Sequence, residues 1–130
     1  MVEITKKTVL IIEDERPLLE AVKMKLVTSG FDVVTARSAV EGLNFMKDGV
    51  AIDVVWLDHY LLGQETGLDF VEKMKNHDTW KQIPIYVVSN TASPDKVQTY
   101  LQLGVNQFYT KADSRLDQII GDIKKTLIKN

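Results

Sequence analysis

Val54-Val55-Trp56-Leu57-Asp58 is the stretch on which the reading of this chain turns. Four consecutive apolar residues, two of them β-branched, fit a short strand buried on both faces. The run stops abruptly on a carboxylate. In an open parallel α/β sheet, ligands bind outside the carboxyl ends of the strands, so Asp58 stands where chemistry is done. Aspartate also starts turns through its own side chain, and Asp58 alone does not decide between the two readings. The other strand ends decide it.

Toward the N-terminus, Val9–Ile12 is a second short apolar run, and it ends on Glu13-Asp14-Glu15. Pro17 suits the first turn of a helix, in which Leu18, Val22 and Leu26 recur at helical spacing before Gly30. Val33–Ala36 reads as another strand. Ser38 and Glu41 have the spacing of a capping box, ahead of a helix marked by Val40, Leu43 and Met46 or Lys47 that stops near Gly49. Toward the C-terminus, Gly63 and Gly67 punctuate a loop, and Leu68, Val71 and Met74 or Lys75 mark a third helix. Pro84 introduces Ile85–Val88, which ends at Ser89-Asn90. Ser93-Pro94 is a cap with proline at the first helical position; Val97, Leu101 and Gly104 carry and close that helix. Val105–Tyr109 is a fifth strand leading into Thr110-Lys111. Asp113 or Ser114 then caps a last helix striped by Leu116, Ile119, Ile120, Ile123 and Leu127.

Five strand–helix alternations predict an α/β fold. The expected form is a doubly wound, five-stranded parallel sheet with right-handed crossovers and five helices on two faces. The expected strand order is flavodoxin-like, 2-1-3-4-5. One domain is expected over residues 1–130, with its core at about 8–128 and no output domain behind the last helix.

With no cysteine among 130 residues, thiol catalysis, thiolate metal sites and disulfides are ruled out. Sixteen basic and eighteen acidic residues are interspersed and leave a net charge of −2. That is no footprint for nucleic acid. No signal peptide follows Met1, and no apolar run reaches the ~20 residues of a membrane span. The expectation is a cytoplasmic protein without direct nucleic-acid or membrane contacts.

In the order 2-1-3-4-5, Glu13, Asp14, Asp58, Ser89 and Lys111 share one edge of the sheet at its topological switch point. Clustered carboxylates repel and call for cations. Lys111 supplies one, and a hard divalent ion bound through oxygens supplies more. Mg²⁺ (or Mn²⁺) suits a few carboxylates while keeping positions for water and phosphate. A carboxylate so placed can act as a nucleophile and form an aspartyl phosphate, with Lys111 and Ser89 on the phosphoryl oxygens.

Along its whole length the chain resembles a response-regulator receiver domain. Glu13 and Asp14 resemble the acidic pair that binds Mg²⁺, Asp58 the phosphoacceptor, Ser89 the hydroxyl after strand four and Lys111 the lysine after strand five. The intervals carry the likeness: 44 positions from Asp14 to Asp58 and 22 from Ser89 to Lys111. The resemblance also implies a metal contact from the backbone carbonyl of Tyr60. It implies switch residues at Ser89 and at Phe108, with Tyr109 the close alternative. Tyr60, Asn90 and Thr91 are implied as tuning positions for phosphate lifetime.

Several positions depart from the family pattern. Leu62 replaces a frequent proline, and Gly67 comes one residue late, so the loop carries one extra residue. Ala112 follows the lysine in place of a cis proline. A cis bond to alanine would cost about 2.5–4 kcal/mol, so Lys111–Ala112 is predicted to be trans. Asn90 stands in place of a small residue beside the site. His59 is expected to point away from the site, Trp56 to lie in the core, and Trp80 to cover an apolar patch. His77 is expected to complement a helix dipole.

The resemblance implies a phosphoacceptor switch that takes a phosphoryl group from a sensor histidine kinase or a histidine phosphotransfer protein. It would autodephosphorylate without turning over an external substrate. It would bias the face built from helix 4, strand 5 and helix 5 toward a downstream effector or a homodimer. The rival reading is a receiver-like docking or dimerisation module that acts without phosphorylation. A flavin-binding protein of the same topology is disfavoured, because Glu13-Asp14-Glu15 would repel the flavin phosphate. A haloacid-dehalogenase-type phosphatase is disfavoured because Tyr60 stands where its second aspartate belongs.

Overall fold

A computed structural model of the chain describes residues 6–90 and 93–128. The elements are β1 (Thr8–Ile12), α1 (Arg16–Thr28), β2 (Asp32–Ala36), α2 (Ala39–Lys47), β3 (Val54–Leu57) and α3 (Gly67–Lys75), then β4 (Ile85–Ser89), α4 (Pro94–Leu103), β5 (Gln107–Thr110) and α5 (Leu116–Ile128). A single 3-10 turn, Trp80–Gln82, precedes β4. The strands are all parallel, in the order β2-β1-β3-β4-β5. This is the doubly wound topology expected from the alternation. Among the described residues no helix is long and apolar enough to cross a membrane.

Strand side chains alternate between the two faces of a sheet, and here the alternation divides the core cleanly. Leu10, Ile12, Val55, Leu57, Ile85 and Val87 pack with Leu43, Met46, Phe70, Met74 and Tyr100 beneath α2, α3 and α4. Val9, Ile11, Val54, Trp56, Tyr86, Val88 and Tyr109 pack with Leu19, Val22, Leu26, Ile119 and Ile123 beneath α1 and α5. Trp56 is core, as expected.

Several helix faces are rotated from the sequence reading. On α2 the buried residues are Ala39, Gly42, Leu43 and Met46, while Val40 is 54% exposed. On α4 the inward residue is Tyr100, fully buried, whereas Leu101 is 46% exposed. Steps of three and four both satisfy a helix, and the sheet selects between them. The two-way capping box lies at Thr66 and Asp69 ahead of α3. At α2, Ser38 accepts from the Glu41 backbone N–H, but Glu41 reaches back to Arg37 N–H instead of Ser38. The last helix begins on the carbonyl of Arg115, one residue beyond Ser114. β5 begins at Gln107, because Asn106 exchanges bonds with the Ile85 backbone through its own N–H and its side-chain oxygen.

His77 does not serve the α3 dipole in the expected way. Its Nδ1 accepts from the N–H groups of Thr79 and Trp80 at 3.1 and 3.3 Å, and its ring stacks on Trp80 at 3.6 Å. It therefore folds the turn that sets half-buried Trp80 against the α2–α3 side of the core.

Candidate functional site

The parallel ladder runs one residue past the strand ends and thereby aligns the site. Ile12 faces Leu57 in register, and the Asp58 N–H donates to the Ile12 carbonyl at 3.0 Å. Ser89 faces Thr110, and the Lys111 N–H donates to the Ser89 carbonyl at 2.9 Å. Glu13, Asp58 and Lys111 share the strand parity of Ile11, Trp56 and Tyr109. Their side chains therefore converge on the α1–α5 side of the sheet edge.

The convergence is tight. Lys111 Nζ lies 2.9 Å from Glu13 Oε1 and 3.2 Å from Asp58 Oδ2. Glu15 stands 3.9 Å from the same ammonium. Asp58 Oδ1 accepts from the His59 N–H at 2.7 Å, and Glu13 Oε2 accepts from the Glu15 N–H at 3.1 Å. One carboxylate oxygen from each of Glu13, Asp14 and Asp58 lies within 4.8 Å of the others. Arg37, from the end of β2, donates to the Asp14 carbonyl at 3.1 Å and steadies the turn that carries it.

The charges do not balance within this group. Burial first, and the Asp58 carboxylate second, push the Glu13 carboxyl up to about 7, and Lys111 offsets only part of this. Burial alone would lower the Lys111 ammonium, but Glu13 and Asp58 outweigh it and hold the group above its ordinary value. Glu13 and Asp58 are buried, at 1% and 3% exposure, so water screens their repulsion poorly. Ser89 Oγ at the tip of β4 is fully buried and has no hydrogen-bond partner among the described residues. A buried hydroxyl left this way costs about 1–3 kcal/mol. A divalent cation fits the donor set: three carboxylate oxygens suit a hard ion.

Other positions singled out in the sequence lie nearby or elsewhere. Tyr60 is 52% exposed, and its hydroxyl accepts from Lys96 Nζ at 3.0 Å. Asn90 is exposed, and Thr91 lies outside the described residues. Phe108 and Tyr109 take opposite faces. Phe108 shares the face of Ser89 and meets Tyr100 with ring centroids 5.6 Å apart. Tyr109 is turned to α5, where it donates to Asp122 Oδ2. No peptide bond among the described residues is cis, so Lys111–Ala112 is trans as expected, and Lys111 still reaches Asp58. The longer loop after Asp58 is anchored at Leu62, whose N–H donates to the Arg37 carbonyl at 3.1 Å.

The sequence reading passed over Tyr100 and took Gly67 only as loop punctuation and as a glycine one place late. Tyr100 bonds His59 Nδ1 through its hydroxyl at 2.7 Å. Gly67 opens α3 so close to the site that a Cβ there would sit 2.7 Å from the Asp58 carbonyl oxygen. The parity of His59, opposite to that of Asp58, was the available signal that its ring turns toward α4.

A family model described as the response regulator receiver domain matches residues 9–123. The chain is 30% identical over 123 residues to the transcriptional regulatory protein KdpE of Mycobacterium tuberculosis, covering 94% of this chain and 51% of that one. It is 28% identical over 103 residues to the chemotaxis protein CheY1 of Helicobacter pylori, covering 78% of this chain and 82% of that one. Among solved structures, a CheY-like receiver domain protein from Methanospirillum hungatei JF-1 matches with a TM-score of 0.85 and 23% identity over 96% of each chain. The chain thus spans about half the length of KdpE and most of CheY1.

Proposed function

The chain belongs to the response regulator receiver domain family of two-component signalling, and from that premise we propose that it is a phosphoacceptor switch whose acceptor is Asp58. The observation that carries the reading is the imbalance at the strand ends. Three carboxylates gather within 4.8 Å of one another, two of them paired to one ammonium, and the buried hydroxyl at the tip of β4 has no partner among the described residues. A divalent cation and a phosphoryl group together would relieve each of these mismatches.

Receiver domains are typically partnered by histidine kinases and effectors. The donor proposed here is a phosphorylated histidine on a sensor kinase or a histidine phosphotransfer protein. An Asp58 carboxylate oxygen attacks the phosphorus, the phosphorus–nitrogen bond breaks, and imidazole leaves as the aspartyl phosphate forms. Glu13, Asp14, Asp58 and the Tyr60 carbonyl would hold Mg²⁺ (or Mn²⁺), which when bound neutralises the carboxylates and draws charge from the phosphoryl oxygens. Lys111 exchanges part of its pairing with Glu13 for a phosphoryl oxygen, and Ser89 donates to another. Transfer of this kind is mostly positioning and charge stabilisation, which these residues supply from rigid strand ends. Ser89 and Phe108 share one face of the sheet, so movement of Ser89 toward the phosphoryl group frees space for Phe108. That would alter the α4–β5–α5 face offered to an effector or to a second copy.

Acetyl phosphate tests the reading. With Mg²⁺ the intact chain gains the mass of one phosphoryl group, and with EDTA it does not. Equal labelling in EDTA would defeat the metal-assisted reading. No labelling under either condition would leave a docking module.

A further inference from the structure

The two residues that follow Asp58 are both held by α4, from positions one helical turn apart. His59 Nδ1 is hydrogen-bonded to the Tyr100 hydroxyl at 2.7 Å. Lys96 Nζ donates to the Tyr60 hydroxyl at 3.0 Å and lies 4.6 Å from the centre of the same ring. Residues four apart share a helix face, so Lys96 and Tyr100 grip consecutive loop residues from a single side of α4. The Lys96 contact is open to solvent. The Tyr100 contact is not: Tyr100 is 0% exposed and His59 8%.

A buried tyrosine hydroxyl needs a partner, and Tyr100 finds it on the residue covalently joined to Asp58. The surroundings leave little slack. The Gly67 N–H donates to the His59 carbonyl at 2.9 Å. A Cβ at Gly67 would meet the Tyr100 hydroxyl at 2.5 Å and the His59 Cα at 3.1 Å. On its other side Tyr100 packs against Phe108. One phenol ring therefore touches the acceptor loop, the start of α3 and the β5 aromatic residue.

We propose that the His59–Tyr100 hydrogen bond is a positioning contact that passes displacement of the acceptor loop directly to α4, separately from the route through Ser89. This rests on the reading of Asp58 as phosphoacceptor. The His59 N–H donates to Asp58 Oδ1, so phosphorylating that carboxylate, or drawing it toward a cation, changes the bond that holds the His59 backbone. Close packing cannot absorb such a shift. The imidazole transfers it to the Tyr100 hydroxyl and so to the middle of α4.

The test uses the whole chain, isotopically labelled, with Mg²⁺ and beryllofluoride as the phosphoryl mimic. The fluorine resonance of bound beryllofluoride reports occupancy, and amide shift changes over residues 94–103 report the response of α4. In Tyr100→Phe the bound resonance persists, while the α4 shift changes at saturation fall at least about twofold, as expected when one of two routes is cut. His59→Leu cuts the same bond from the other side and produces the same loss. The double variant loses no more than either single, because both remove one interaction. A tyrosine with only a packing role would lower Tm without reducing the response at saturation. An α4 response equal to wild type in saturated Tyr100→Phe overturns the proposal and leaves the phosphoacceptor reading intact. Absence of any bound resonance in the wild type overturns both.

Discussion

Two buried or half-buried polar groups flank β4 and β5, and they are built on opposite terms. Between these strands and α5, Tyr109 donates to Asp122 Oδ2 at 2.5 Å, and Thr126 donates to the Asp122 carbonyl at 3.2 Å. The Tyr86 and Thr126 hydroxyls are bonded to each other. Burial first, then the bond to Asp122, raises the Tyr109 hydroxyl above its ordinary value, so it stays a donor. That group is self-contained, and it fastens α5 to the sheet. At the strand ends, Glu13 and Asp58 share one ammonium, Asp14 adds a third carboxylate within 4.8 Å of theirs, and the Ser89 hydroxyl has no partner among the described residues. A fold gains nothing by burying such a group for its own sake. Both groups contain carboxylates and hydroxyls. What separates them is whether the chain satisfies them itself, and that difference marks one as framework and the other as site.

The contrast can be broken by removing one member at a time. The largest effect belongs to Asp58→Asn, which loses all labelling by acetyl phosphate while its circular dichroism stays that of the wild type. Persistent labelling at the same level would remove Asp58 from its role. Lys111→Ala comes next. It strips the only ammonium paired to Glu13 and Asp58 among the described residues, and urea unfolding without metal should show a loss of about 3 kcal/mol, the scale for breaking a buried pair. The same variant keeps Mg²⁺ binding and loses the α4–β5–α5 response to beryllofluoride. A full response would count against Lys111.

Two hydroxyl deletions sharpen the comparison further, because they should differ in stability. Tyr109→Phe leaves Asp122 short of a donor and costs about 1–2 kcal/mol, without slowing labelling. Ser89→Ala removes a hydroxyl with no partner to lose, so its stability stays within about 0.5 kcal/mol of wild type or rises. It still weakens the phosphate-driven response. Equal destabilisation by the two deletions would erase the distinction between framework and site.

The strands were legible because each announced itself as a short apolar run ended by polar residues, with Val54–Leu57 the plainest case, whereas their order was taken from the flavodoxin-like pattern that the alternation fits. The five residues at the sheet edge followed from the strand order, since register brings Glu13 beside Asp58 and Lys111 beside Ser89. The helix faces were less legible. Val97 and Leu101 satisfy the helical period as well as Val97 and Tyr100 do, and only contact with β5 and the loop after Asp58 makes Tyr100 the inward one. Gly67 read as loop punctuation. Its closeness to the Asp58 carbonyl depends on how α3 enters, which no local pattern encodes. Strand parity separates Phe108 from Tyr109: Tyr109 shares the parity of Lys111 and turns to α5, and register with β4 puts Phe108 on the face of Ser89.

Locating the phosphoryl group tests the central claim most directly. After labelling with acetyl phosphate and Mg²⁺, borohydride reduces an acyl phosphate to an alcohol, and peptide sequencing by mass spectrometry then finds the altered side chain. Conversion at Asp58 alone is the predicted result. Conversion at any other carboxylate, with Asp58 unchanged, would contradict it.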